Sequence, residues 1–371
     1  MFLISSSMKG PVLVAGGSTQ WDDALRIGAA LDARARVLHL GNLEVLRPPP
    51  PGTPYEGGHW PQQGLRDIAA FRRLLRRILP VASTLVLGQD AARLPRVAAR
   101  AARRAGVPIA VVPDGALFRC APYLGTRERV QELALRAAGW TAGSPNQFGS
   151  TRPDLWCAWG EGWVRMLQDC SPRGRVVVTG SPRAGDLRGI DPPASANRRL
   201  LICSQPTWVP PFPPSTTAGP EWYRWLERIA SSAPVGRLAV RLHPRERDLF
   251  DQLDLGPATR AALSDRGPLA ADIAASDAVI APFSTVLIEA AAAARPVISV
   301  VPETACRAVR AGSPAMRDPR LQVHVTHDLA DFGALDDAVD RADVDGWGQD
   351  FCLVAVDSAQ RCAAAITDLA R

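Results

Sequence analysis

A histidine followed by proline and a serine–threonine pair opening an apolar run are the features of this chain best suited to handling phosphate. His243 stands in Arg241-Leu-His-Pro-Arg-Glu246, directly after an apolar run that Pro244 ends. The imidazole is therefore predicted at the C-terminal end of a strand, where ligands of open α/β sheets bind. There it can donate to a phosphate oxygen or protonate a leaving group; the plain alternative is a local hydrogen bond at a strand end. Arg241 and Arg245 flank it, and guanidinium forks match phosphate oxygens. Ser284 and Thr285 follow Ala278-Val-Ile-Ala281 and precede Val286-Leu-Ile-Glu-Ala290. Small hydroxyls and unpaired backbone donors at a helix start make an anion site. Ordinary N-capping by Ser284 is the simpler reading, and the two are compatible. Glu289, one turn further along, is placed to accept from ribose hydroxyls. Gln205, Pro206 and Thr207 follow the apolar run 199–203 and are predicted on the same sheet edge, lining a nucleotide pocket.

Those residues need a scaffold, and the apolar runs describe one. In the first half, runs at 11–15, 35–40, 84–88, 108–112, 155–159 and 175–179 read as strands. Helical spacing over 21–31, 64–78, 89–104 and 161–168 fills several intervals between them. Strand and helix in alternation imply a parallel sheet with right-handed crossovers. The second half repeats the pattern, with strands at 199–203, 237–242, 278–281 and 296–301 and helices at 220–231 and 286–294. The expected architecture is α/β, two Rossmann-like domains facing a cleft. The boundaries are set at 1–190 for an N-terminal Rossmann-like domain and 191–349 for a C-terminal one. The amphipathic segment 350–371 is expected to pack as a helix at the domain junction. The proline-rich stretch 47–61 reads as a long exposed loop. Gly16, Gly17 and Gly115 follow strands of the first half. Asp114 follows the strand at 108–112, where chemistry is usually done, though Pro113-Asp-Gly115 also has the composition of a turn.

Composition narrows the classes. With 371 residues the chain is longer than one core usually grows, so two domains are expected. A net charge of +6 could signal nucleic acid, but the arginines are scattered along many predicted helices, and aromatic interleaving is missing. No nucleic-acid partner is expected. Lys9 is the only lysine, a bias pointing to GC-rich coding. Seven cysteines form no CxxC pair and no Cys/His spacing of a metal site, and are read as reduced thiols. No apolar run reaches membrane-spanning length. The expectation is a cytoplasmic protein with room for peripheral membrane contact, a monomer or homodimer.

Taken in order, several phrases resemble a known group. Asp154-Leu-Trp-Cys-Ala-Trp-Gly-Glu161 and Val176-Val-Val-Thr-Gly-Ser-Pro-Arg183 resemble the end of the acceptor domain in bacterial GT-B enzymes of surface-polysaccharide synthesis. With Arg241-Leu-His-Pro244 and Phe283-Ser-Thr-Val-Leu-Ile-Glu-Ala290, the chain resembles the group of CDP-glycerol glycerophosphotransferases, capsule Kdo transferases and bacterial polysialyltransferases. UDP-N-acetylglucosamine 2-epimerases share that architecture. The resemblance spans roughly residues 84 to 300 and implies that 1–190 is the acceptor-binding domain, with Gly16, Gly17 and Gly115 on the acceptor side, and 191–349 the nucleotide-sugar-binding domain.

It implies a role for His243 on the donor phosphate or as acid, and phosphate binding by Ser284 and Thr285. It also implies a general base at Asp114, which matches the carboxylate before glycine in the sialyltransferase branch; the acidic residue usual before it is Pro113 here. Asp343-Val-Asp345, the one DxD, lies in an acidic, weakly apolar stretch and reads as solvated surface. Glu289 has Val297 eight positions later and Ala281 eight earlier, so the paired glutamates usual in retaining enzymes are missing. The expected reaction is an inverting, metal-independent sugar transfer from a nucleotide-activated donor to a hydroxyl, in glycan or antibiotic biosynthesis, with no cofactor beyond the co-substrate. The alternatives are a 2-epimerase-like enzyme, though Thr285-Val286 replace its Gly-Gly, and a silent GT-B-like scaffold.

Overall fold

The computed structural model describes residues 10–15, 18–31, 36–39, 55–57, 65–113, 126–144, 148–169, 174–190, 198–205, 218–247, 250–264, 267–306, 318–342 and 346–371. The chain divides into two compact units, Met1–Gly185 with Ala355–Arg371, and Asp186–Val354.

The first unit is built on a parallel sheet of β1 (Gly10–Ala15), β2 (Arg36–His39), β3 (Tyr55–Gly57), β4 (Ala82–Leu87), β5 (Ile109–Val111), β6 (Leu155–Ala158) and β7 (Arg175–Val178). Their order is β3-β2-β1-β4-β5-β6-β7. Strands buried on both faces need continuous apolar runs, and β5 and β6 are buried at every position. The stretch 47–61, read from its prolines as loop, contains β3, which pairs in parallel with β2 through Val37 opposite Tyr55. Three residues at a sheet edge are too few to show a period.

One face of this sheet is covered by the helices Ser18–Ala30 and Ser358–Leu369. Trp21, Ile27, Cys362 and Ile366 pack with Leu13, Val86, Leu155 and Cys157 into one core. The last helix, set apart as its own segment in the sequence reading, is thus a layer of the first unit. The predicted segment is also broken: Trp347–Phe351 is a separate short helix within the second unit. Its Gly348 lies so close to Ala291 that a Cβ would fall 2.2 Å from the Ala291 carbonyl carbon.

The second sheet comprises β8 (Leu200–Cys203), β9 (Leu238–Arg241), β10 (Ala278–Ala281), β11 (Val297–Val301) and β12 (Val323–Val325), ordered β12-β11-β10-β8-β9 and parallel throughout. The helix Ala218–Ser232 lays Trp222 and Trp225 on it, their rings stacked at 4.8 Å, beside Leu200, Ile202 and Val240. Indoles of this size bury roughly 150–250 Å² each and dominate such a core. Trp225 donates to the Leu329 carbonyl at 2.9 Å, so its polar edge is satisfied inside.

Candidate functional site

Counting strands within the second unit, the order is 2-1-3-4-5, the flavodoxin-like doubly wound arrangement. The first strand, β8, and the third, β10, are neighbours there, and chain direction of growth reverses between them. Ligands bind at such switch points, beyond the carboxyl ends of the strands. The register aligns Cys203 with Arg241 and Ile202 with Ile280. Ser204 and Gln205, Leu242 and His243, and Pro282 to Ser284 therefore leave the same edge of the sheet. His243 lies one strand to one side of Gln205, and Ser284 one strand to the other.

Local sequence sets each geometry. Pro244 begins the helix Pro244–Arg247, and His243 occupies the position before it. The His243 amide donates to Glu246 Oε2 at 2.8 Å, and the Glu246 amide donates to the His243 carbonyl at 2.9 Å. This is half of a capping box, with proline at the first helical position. Glu246 Oε1 also accepts from Ser204 Oγ at 2.8 Å and from the Tyr223 hydroxyl at 3.0 Å. Ser204 Oγ in turn accepts from Trp222 Nε1 at 2.8 Å. One buried carboxylate thus ties the end of β8, the end of β9 and the helix Ala218–Ser232 together. Burial pushes its pKa up against three hydrogen bonds, all from neutral donors, that pull it down. Glu246 is the site residue that sequence reasoning passed over. Its three-residue distance from His243 was the available signal.

On the other side, Ser284 caps the helix Thr285–Ala292, its hydroxyl accepting from the Val286 amide at 3.3 Å. Glu289, one turn into that helix, is buried. Burial pushes the Cys203 thiol up to about 12, against the pull of Arg241 and with smaller upward contributions from the Asp272 and Glu289 carboxylates. Between the two arms, Gln205 Oε1 is buried and has no hydrogen-bond partner among the described residues.

Arg241, expected at the donor phosphate, is also engaged within the unit. Its guanidinium pairs through Nη1 with the buried Asp272 carboxylate and donates through Nη2 to the Gly267 carbonyl at 2.8 Å. Asp272 also accepts from Ser264 Oγ, and Ser264 and Ala262 pair with Val240 at 2.8 Å each. Arg241 therefore ties Gly267 directly, and Ser264 through Asp272, to the sheet edge. Its partner lies on another element 31 residues away, which local spacing does not reveal.

Several predicted residues lie outside the described part: Asp114, Gly115, Gly16, Gly17, Pro206 and Thr207, with Asp343-Val-Asp345; of Arg245 only the helical backbone is described. The neighbourhood leading to Asp114 is ordered by Trp159, whose Nε1 donates to the Pro113 carbonyl at 2.9 Å. Arg183, at the end of the Val176–Arg183 phrase, pairs with Asp23 at 3.2 Å and lies 5.8 Å over the Trp159 ring.

A parallel α/β unit repeated twice along one chain, with helices on the sheets, decides the architecture. The fold is GT-B. A variant of the wall teichoic acid polymerase TagF soaked with CDPG superposes with a TM-score of 0.56 at 13% identity, covering 97% of this chain and 88% of that one. Staphylococcus aureus MnaA in complex with UDP gives 0.55 at 12% identity, covering 96% and 95%. A protein described as a UDP-N-acetylglucosamine 2-epimerase from Listeria monocytogenes gives 0.53 at 13%, covering 98% and 96%. No family model and no curated protein matches the sequence. These GT-B relatives in shape cover nearly the whole chain, and at such identities they speak for its fold. Among the described residues no helix is long and apolar enough to cross a membrane.

Proposed function

We propose that this protein is a glycosyltransferase that takes a nucleotide-activated sugar at the C-terminal edge of its second sheet and transfers the sugar to a hydroxyl acceptor. The observation that carries the proposal is the β8/β10 switch point with Gln205 in it. A buried amide oxygen without a partner costs about 1–3 kcal/mol, and a ligand donor supplied there would offset that cost. That TagF was soaked with CDPG and MnaA holds UDP in structures of the same fold supports a nucleotide-bearing ligand.

In this reading Ser284, Thr285 and the helix start face the donor phosphates, and His243 stabilises charge on the departing nucleotide, with Glu246 fixing its backbone. Arg245, Pro206 and Thr207 complete the pocket, and Glu289 orients the ribose. Asp114 takes the proton of the acceptor hydroxyl, whose oxygen attacks the anomeric carbon as the bond to phosphate breaks and the electron pair leaves with the nucleotide. The configuration inverts and no metal takes part. Gly16, Gly17 and Gly115 line the acceptor side. The acceptor is an envelope glycan or a small natural product handled in the cytoplasm.

Thermal melts with CMP, CDP, UDP, GDP and TDP test the donor site, and one nucleotide should raise Tm. His243→Ala should then lower transfer by roughly 10²–10⁴-fold with the unliganded Tm unchanged. A protein indifferent to every nucleotide would be a silent scaffold. Interconversion of a UDP-sugar without acceptor would make it an epimerase, the reading favoured by the likeness to the Listeria monocytogenes protein described as a UDP-N-acetylglucosamine 2-epimerase.

A further inference from the structure

A second feature of the first unit has no part in that chemistry. The helices Leu65–Ile78 and Arg93–Arg104 face each other across a cleft of about 240 Å³. Arg72 and Arg76 stand one turn apart on one wall, Arg100 and Arg104 one turn apart on the other. Leu75, Leu79 and Val97 form apolar lining, and Trp140 closes one side. Arg72 lies 4.2 Å over the Trp140 ring. Trp140 is aimed there by the end of the helix Thr126–Ala137: Gly139 takes φ +63°, its amide bonds to the Arg136 carbonyl at 2.9 Å, and the Trp140 amide bonds to the Leu135 carbonyl at 2.8 Å. That left-handed turn is glycine's, and a Cβ at Gly139 would also meet the Arg104 guanidinium at 2.8 Å.

Four guanidinium groups line this cleft, and none has a carboxylate in ion-pair contact among the described residues. Burial, with the positive charges of Arg76 and Arg104, lowers the Arg72 pKa. Other arginines of the same unit are matched: Arg93 and Arg96 share Glu132 at 2.7 Å each. Like charges gathered in a cleft with apolar walls focus a positive field that attracts anions. The cleft is smaller than the roughly 300–1,000 Å³ that encloses a drug-sized molecule, so it suits a compact charged group, not a whole nucleotide sugar. Two arginine pairs on opposite walls, each able to fork onto phosphate oxygens, match a group with two phosphorus centres.

From the unmatched arginine pairs converging on one small cleft, we infer that Arg72, Arg76, Arg100 and Arg104 form a binding site for a diphosphate group, separate from the donor edge of the second unit. The diphosphate is either free or the head of a lipid, and the chemistry of recognition is the same for both. The test is calorimetric titration of the full chain with inorganic pyrophosphate. It runs beside co-sedimentation with phosphatidylcholine vesicles, plain or doped with diacylglycerol diphosphate. Binding in either arm is expected, and the arm that responds names the source. Arg76→Gln with Arg104→Gln, both solvent-exposed, should weaken it by about tenfold or more at unchanged Tm, as loss of charge-assisted bonds requires. Ser284→Ala should leave it intact. No binding in either arm, equal binding by the double variant, or loss of binding only in Ser284→Ala would each overturn the site.

Discussion

Two glutamates closed off from water, one in each unit, show how differently the two halves use buried charge. Glu132 of the first unit accepts from Arg93 Nε and Arg96 Nη1, both at 2.7 Å, and Arg96 further donates to the Ala142 and Gly143 carbonyls. Burial pushes Glu132 up, but the two arginines outweigh it and hold its pKa below the usual glutamate range. Glu246 of the second unit is more deeply buried and meets no cation among the described residues; its donors are a serine, a tyrosine and a backbone amide, and burial wins. The first arrangement is a charge pair that braces helices. The second is a carboxylate kept poised at a sheet edge beside the residues proposed to meet the donor, as perturbed groups at functional sites commonly are.

Removing the partner should separate the two most sharply. Glu132→Ala leaves Arg96, which is 0% exposed, without its counter-charge, and should cost about 3–5 kcal/mol in chemical denaturation. A cost near zero would mean that the carbonyls of Ala142 and Gly143 suffice for Arg96. Glu246→Gln is expected to cost less, about 1–2 kcal/mol, because neutral partners remain and only one acceptor geometry is lost. It should also weaken nucleotide stabilisation, since the His243 turn loosens; unchanged nucleotide affinity would detach Glu246 from the site.

The smallest effect is the most diagnostic, because its sign differs between the two. Glu132 has a lowered folded pKa, so its contribution is present above the unfolded value near 4.3 and is lost as pH falls through the folded one. Glu246 has a raised folded pKa, so its contribution is complete below the unfolded value and declines as pH rises through the folded one. The destabilisation by Glu132→Gln should therefore shrink toward acid, and that by Glu246→Gln should shrink toward neutral pH. Parallel profiles from urea unfolding between acid and neutral pH would erase the distinction.

Much of the scaffold was legible in the chain. Parallel strands buried on both faces must be continuous apolar runs, and β4, β5, β8, β10 and β11 stand out for that reason. Pro244 after His243 and Ser284 before an apolar helix announced their own positions, because proline and capping residues act within a turn of themselves. Short edge strands escaped: β3 and β12 have three residues each and owe their conformation to the neighbour they pair with.

What the sequence determined by itself, then, was which segments become strands and helices and which strand ends carry polar side chains, since those follow from periodicity and local backbone chemistry. The tertiary structure alone decided the strand order that sets β8 beside β10, the seat of Gln205 between His243 and Ser284, and the capture of Arg241 by Asp272. It also put the last helix back on the first sheet and gathered Arg72, Arg76, Arg100 and Arg104 around one cleft. Each of these joins residues far apart in the chain through packing and charge, which no local pattern encodes.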